Sequence, residues 1–341
     1  MILYSHRTPP KPETSGNGTT TPEEEASGAT GSRAEILNIF NTATCSAEKL
    51  ATIDVPPRKA IQGEWCKEGD LGFIFGQRGF GKTWLAMFYA RRWAEAGKRV
   101  LYVDGEMALD DIRQRDAALA NAPAEGMFYL HHEVLFHKTG TVLNLTDPAA
   151  QEALLEKCER DGIEILVLDN LSCLFTGMKE NDANAWEQVL PWLLELRRKR
   201  IAVVFVAHAG RNGQMRGTSR REDAAFWIIE LTEVRSPGEV QTGARFVTRF
   251  VKNRNATEKE CPPMEWQFDL PKGESHATVT SKPLSIMADF RQCIEVGLTG
   301  ATDIAEELGI SKGQVSKLAR QGIKAGWLRK VGREYALTGN L

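Results

Sequence analysis

The sequence predicts an α/β fold, a mostly parallel sheet flanked by helices, with a smaller helical domain at the C-terminal end. Three observations predict it. Leu71 to Phe75 read as a buried strand that runs into Gly76-Gln77-Arg78-Gly79-Phe80-Gly81-Lys82-Thr83, and an amphipathic helix follows at once. Further apolar runs end in polar residues, at Asp104, Asp169 and His208. Beyond Pro283 the chain changes to three short helical patterns and a hairpin-like stretch hinged at Gly332.

The octapeptide Gly76–Thr83 fits G-x-x-x-x-G-K-[ST] at every fixed position. That pattern needs a strand before it and a helix after it. Both are present, the helix carrying Leu85, Phe88, Tyr89, Trp93 and Ala96 on one face. The glycines let backbone N–H groups turn inward around phosphate oxygens, and the helix N-terminus adds partial positive charge. Lys82 is expected to reach the β- and γ-phosphates of a nucleotide, and the Thr83 hydroxyl to ligate Mg²⁺. A Gly-rich turn that binds nothing is the competing reading, and the flanking strand and helix weigh against it.

The chain has 341 residues, enough for two domains. Its net charge of −2 excludes a chain that is basic all over, so any nucleic-acid site must be a local patch. No apolar run approaches a membrane span, and MILYSHRTPPKPETSGNG lacks the apolar core of a signal peptide. The six cysteines lie far apart, with no C-x-x-C, which favours free thiols in a reducing cytoplasm.

Taken in order, residues 1–32 are rich in Pro, Thr, Ser, Gly and Glu and are expected to be a disordered tail. The segment 33–270 is expected to be one domain. It holds a short helix over Ala34–Phe40, the P-loop strand and helix, and a second strand to Asp104. His131, His132 and His137 have no metal-like spacing on one helix face and read as ordinary strand and loop residues. Asp147-Pro148 caps a helix that runs to about Arg160. The next strand ends at Asp169, a loop spans Phe175–Asp182, and a long helix closes with Arg197-Arg198-Lys199-Arg200, cations that suit a helix C-terminus. Strands are expected at Ala225–Leu231, Arg245–Lys252 and Met264–Leu270. Residues 271–284 read as a linker and 285–341 as the C-terminal domain.

The run Asp104-Gly-Glu-Met-Ala-Leu-Asp110 resembles the segment of RecA-like ATPases that carries the catalytic glutamate. The resemblance implies that Glu106 orients and deprotonates the attacking water; a helix-capping role is the alternative. Asp169 matches the Walker B aspartate that helps hold Mg²⁺ in P-loop NTPases. His208 stands where RecA-like proteins place a residue that senses the γ-phosphate. The loop Ala209–Arg221, with Arg211, Arg216, Arg220 and Arg221, matches the position of a DNA-binding loop, and Arg216-Gly-Thr-Ser resembles a segment of plasmid RepA-like helicases. A solvated loop is the alternative.

The ending Lys252-Asn-Arg254-Asn resembles the segment of DnaB-type hexameric helicases whose Lys and Arg enter the neighbouring subunit's ATP site. Arg254 would be the arginine finger and Lys252 its companion; Ala256 departs from the glycine usual there. Ile304 to Ser316 is similar to the helix-turn-helix of winged-helix domains. Lys312, Lys317 and Arg320 would then face duplex DNA, unless the unit docks a protein instead. Together these matches resemble RecA-like ATPases of the RepA and DnaB group. They imply ATP and Mg²⁺, single-stranded DNA in the channel of a homo-oligomeric ring of six, and no membrane partner. An ATP-gated regulator or loader and a RecA-like repair ATPase stay open beside the helicase.

Overall fold

The computed structural model describes residues 32–178, 183–210, 213–215, 219–234 and 243–338. The chain divides between Pro57 and Arg58 into two compact units. In the first, α1 (Arg33–Ala43) begins with a capping box, Ser32 Oγ accepting from Glu35 N and the Glu35 carboxylate accepting from Ser32 N. A second helix, α2 (Ala47–Thr52), is capped by Ser46. No residue of either helix is buried. The helix α2 lies in the stretch expected to be irregular chain after Ala34–Phe40.

The second unit opens with a short antiparallel pair, β1 (Ala60–Gln62) and β2 (Cys66–Lys67). There follow β3 (Leu71–Gly76), α3 (Lys82–Glu95), β4 (Val100–Asp104), α4 (Leu109–Leu119), β5 (Met127–His131) and α5 (His132–Thr139). Next come α6 (Pro148–Arg160), β6 (Ile165–Asp169), α7 (Leu171–Leu174), α8 (Ala183–Arg198), β7 (Ala202–His208) and α9 (Ser219–Ala224). The sheet closes with β8 (Trp227–Glu233), β9 (Gly243–Asn253), β10 (Met264–Asp269) and β11 (Thr278–Pro283).

Among the described residues these strands form one nine-stranded sheet of order β11-β10-β9-β8-β3-β7-β6-β4-β5. From β8 to β5 every pair is parallel, and β9, β10 and β11 add an antiparallel edge. The parallel strands are apolar on both faces because helices cover both. Phe73, Leu101, Val103, Leu166, Leu168, Val203 and Phe205 point into one core with α6 and α8. The alternate residues Ile74, Val100, Tyr102, Val167 and Val204 point into the other with α3 and α4. Gly72 is forced by this packing. A Cβ there would lie 2.0 Å from Cζ2 of Trp227 on the neighbouring strand.

Two expectations need correction here. The segment 271–284 is not simply a linker, since Thr278–Pro283 pairs along its whole length with β10. His132 and His137 lie on α5 rather than on strand and loop, because His131 accepts from Glu133 N and starts a helix.

The C-terminal segment contains α10 (Ile286–Glu295), α11 (Ala301–Glu307), α12 (Lys312–Lys324) and the antiparallel pair β12 (Leu328–Val331) and β13 (Glu334–Leu337). Its own core centres on Phe290, Ile304, Val315, Leu318 and Tyr335. Gly309 and Gly332 take positive φ at the two tight turns, 61° and 63°.

Candidate nucleotide site

Strand register assembles the site before any side chain is considered. Gly76 is level with His208, Val206 with Asp169, and Asp169 with Asp104. The carboxyl ends of β3, β7, β6 and β4 therefore deliver the P-loop and three polar residues to one edge, where open α/β sheets bind ligands. Gly79 and Gly81 have φ of 82° and 86°, which favour glycine. A Cβ on Gly81 would lie 2.6 Å from the Phe246 ring, whereas one on Gly79 would meet nothing within 4 Å. The loop is thus pressed against β9 on one side and open on the other. Gln77, Arg78 and Gly79 are exposed on that open side, with Phe80 half-buried beside them.

Lys82 is the first residue of α3 and is buried, its Nζ donating to Gln77 O at 2.7 Å across the loop. Burial pulls its ammonium down to about 8; the Asp169 and Glu106 carboxylates oppose that pull. Asp169 is buried and its carboxyl is pushed up by desolvation, against hydrogen bonds from Tyr102 and Thr83 and the charge of Lys82. Tyr102 Oη donates to Asp169 Oδ2 at 2.6 Å. Asp104 is pushed up to about 7 by burial and by the Asp169 carboxylate.

Lys82, Thr83, Glu106, Asp169, Asn170 and His208 line one cleft of about 380 Å³. On its outer wall the Arg115 guanidinium lies 5.2 Å over the Trp84 ring. The Thr83 hydroxyl lies close enough to the Asp169 carboxylate to oppose its burial-driven rise, and both are oxygen ligands. Such a pair fits a hard divalent cation such as Mg²⁺. Bound there, Mg²⁺ would neutralise phosphate oxygens. Lys82 would add its charge to the phosphates, and the Gly76–Thr83 backbone its N–H groups.

Glu106 is half-exposed in the cleft, with His208 Nε2 3.9 Å from its Oε2. The Asn170 side-chain amide donates to Glu106 Oε2 and lies 3.4 Å from His208 Nε2. Asn170 Oδ1 accepts from Cys173 N at 3.1 Å, capping α7, so the amide can present only its NH₂ to the cleft. Sequence reasoning missed Asn170. The available signal was an Asn directly after a strand-ending Asp, in helix-capping position. A carboxylate held near the phosphate end of a cleft is suited to orienting and deprotonating water.

The structure does not bring Lys252 and Arg254 into this cleft. Arg254 N donates to Phe226 O and Phe226 N to Leu71 O, so both cations stand at the edge where β3 begins. Lys252 Nζ donates to Glu222 O, and Arg254 Nη2 to Asp223 O at 2.7 Å. Arg254 also borders a separate groove of about 400 Å³ floored by Leu190, Leu193 and Phe226.

Of the expected DNA-contacting arginines, Arg211 and Arg216 and the side chain of Arg220 lie outside the described residues. Arg221 is a correction. It is buried, 1% exposed, with its guanidinium 5.2 Å over the Trp186 ring, and so belongs to the core rather than to a DNA-facing surface. Lys312, Lys317 and Arg320 are exposed on α12, with Arg329, Lys330 and Arg333 exposed on the following hairpin.

A family model described as "AAA domain" matches residues 38–214, just over half the chain. The chain belongs to this AAA-domain family. The match spans the P-loop, Glu106, Asp169 and His208, and with the parallel sheet it identifies the core as a RecA-like P-loop ATPase fold. The DNA repair protein RadA of Mycobacterium tuberculosis is 23% identical over 190 residues, covering 54% of this chain and 35% of the relative. RadA of Campylobacter jejuni is 29% identical over 162 residues, covering 46% and 32%. The chain thus spans about a third of the length of these curated relatives. Among solved structures, the flagellar accessory protein FlaH of Methanocaldococcus jannaschii aligns at a TM-score of 0.44 and 11% identity. The alignment covers 62% of this chain and 90% of FlaH. Among the described residues no helix is long and apolar enough to cross a membrane.

Proposed function

We propose that this AAA-domain chain is an ATP-hydrolysing, DNA-associated motor that works as a ring, the helicase of a plasmid, phage or other mobile element. Lys82, Thr83 and Asp169 hold Mg·ATP, Glu106 activates water, and Arg254 with Lys252 completes the site of the next subunit. One observation carries the reading. Arg254 is linked through Phe226 to Leu71, at the start of the strand whose far end, Gly76, opens the P-loop. Five residues of extended chain span about 17 Å. The distance of Arg254 from its own phosphate cleft is what supports a role at a neighbour's.

The reaction is attack of water on the γ-phosphorus, with its proton passing to the Glu106 carboxylate and ADP leaving; Lys82 and Arg254 stabilise charge on the transferred phosphoryl group. His208 leads into the loop that ends in α9, whose carbonyls Lys252 and Arg254 hold. The proposed finger pair therefore holds the helix that follows the loop expected to touch single-stranded DNA. The C-terminal unit, read as a winged helix, offers its exposed cations to duplex DNA.

Mixing Lys82→Ala subunits with Arg254→Ala subunits tests the shared site. Partial return of ATPase activity at mixed interfaces is expected, and no return together with a monomeric solution mass would overturn it. A second reading, a DNA-repair ATPase, is favoured by the RadA relatives. Electron microscopy with and without DNA separates the two, closed rings for the motor and filaments for a RecA-like repair ATPase.

A further inference from the structure

We propose that Asp104, His131 and His132 form a second cation site, distinct from the Mg²⁺ site and suited to a divalent transition ion of the zinc class. Register brings the first two together: Asp104 ends β4 level with His131 at the end of β5. The chain turns into α5 immediately, so His132 follows on the same edge. One ligand atom from each residue lies within 4.8 Å of the others. The Asp104 Oδ2 to His131 Nε2 distance is 3.4 Å and the Oδ2 to His132 Nε2 distance 3.9 Å. Ligands at the corners of a tetrahedron around an ion, with bonds of about 2.1 Å, stand about 3.4 Å apart. The Asp104–His131 pair already has that spacing, the Asp104–His132 pair needs to close by about half an ångström, and the two imidazole atoms lie within 4.8 Å of each other.

Two unsatisfied atoms point the same way. Asp104 Oδ1 and His131 Nε2 are buried without a hydrogen-bond partner, on side chains 1% and 2% exposed. An orphaned buried polar atom is costly, and a cation bound at His131 Nε2 would give that atom a partner. The two imidazoles stack at 4.9 Å and 25°, and both Nε2 atoms lie within 4 Å of Asp104 Oδ2. Two imidazoles and one carboxylate suit zinc, nickel or iron better than Mg²⁺, which prefers oxygen. Three protein ligands leave a coordination position for water.

Loading rearranges nearby hydrogen bonds. His132 Nε2 now contacts Met107 O at 2.9 Å, and His131 Nδ1 accepts from Glu133 N at 3.2 Å. Coordination through both Nε2 atoms moves each ring proton to Nδ1 and releases those two contacts. Asp104 keeps the Met107 N–H on Oδ2. Because Asp104 is two residues before Glu106, an ion here would tie the Glu106 loop to α5.

The test uses untagged full-length protein, stripped with chelator and titrated with Zn²⁺ in excess Mg²⁺ without nucleotide, so that its outcome is independent of the ATPase reading. Wild type should hold one equivalent of zinc with micromolar or tighter affinity, and Co²⁺ in its place should give the visible bands of a histidine-bound ion. His131→Ala and His132→Ala should each lose that equivalent or bind at least about tenfold more weakly. His132 is 34% exposed, so its variant should fold even where the buried His131→Ala does not. Failure of wild type to bind zinc, or equal binding by wild type and folded His132→Ala, overturns the site.

Discussion

The side-chain amide of Asn170 bonds in two directions, accepting from the backbone of α7 and donating to the Glu106 carboxylate. Its orientation is fixed by the helix cap, so Glu106 is held by a group that cannot turn away. Asn170→Ser separates the two jobs, because a serine hydroxyl still caps a helix but does not reach Glu106. The expected result is a kcat for ATP hydrolysis reduced about tenfold or more, with little change in KM and a melting temperature within a few degrees of wild type. Glu106→Gln should lower kcat further, by about a hundredfold or more, while nucleotide binding persists. An Asn170→Ser enzyme with wild-type kcat would show that Glu106 does not depend on this contact.

Lys82 gives the site a pH dependence of defined sign. Its ammonium is held down to about 8 by burial, so the charged form dominates below that pH and is lost as pH rises through it. Phosphates bind the ammonium, so affinity for ADP should fall between about pH 8 and pH 10, by up to tenfold per pH unit. The unfolded chain keeps its lysine proton to higher pH, so this group's contribution to folding stability grows over the same window while nucleotide affinity falls. Fluorescent-nucleotide titration beside thermal melts measures both, and a flat affinity across that window would contradict the assignment.

Gly72 tests the sheet packing that sets the P-loop's position. Alanine there drives a methyl into the Trp227 indole, itself fully buried and edge-on to Trp65 at 4.9 Å. A cost of about 3 kcal/mol or more is expected, at the upper end for overpacked cores. Chemical denaturation should show the midpoint falling without a change in slope. Gly79→Ala is the contrasting case, open to space but strained by its positive φ, and should weaken nucleotide binding more than folding.

Much of this architecture was legible because parallel strands buried on both faces leave uninterrupted apolar runs. Leu71–Phe75, Val100–Val103, Ile165–Leu168 and Ala202–Ala207 all stood out for that reason. What escaped depended on partners far away in sequence. The strand β11, with the pattern Thr-Val-Thr-Ser-Lys-Pro, is mostly exposed and has no apolar run; only its pairing with β10 makes it a strand. Arg221 looked like a loop cation because its charge is visible in the sequence and its contact with Trp186 is not. The histidine pair looked unremarkable because its third ligand candidate, Asp104, lies on another strand. Asn170 shows the same limit, since its importance comes from Glu106, 64 residues earlier.

The exposed cations of α12 and its hairpin test the proposed contact of the C-terminal segment with duplex DNA. Lys312, Lys317 and Arg320 face solvent, and Arg320 Nε donates to Ser316 O at 3.3 Å. The core beneath them, from Phe290 to Tyr335, does not depend on these charges. Replacing all three by alanine should therefore leave the melting temperature nearly unchanged. If they contact phosphates, duplex affinity should fall, and the slope of log K against log salt should become shallower by about two to three. A lost slope with an unchanged preference among DNA sequences would assign these residues to backbone contacts and leave base reading to other residues. Unchanged affinity and slope would instead give this face to a protein partner.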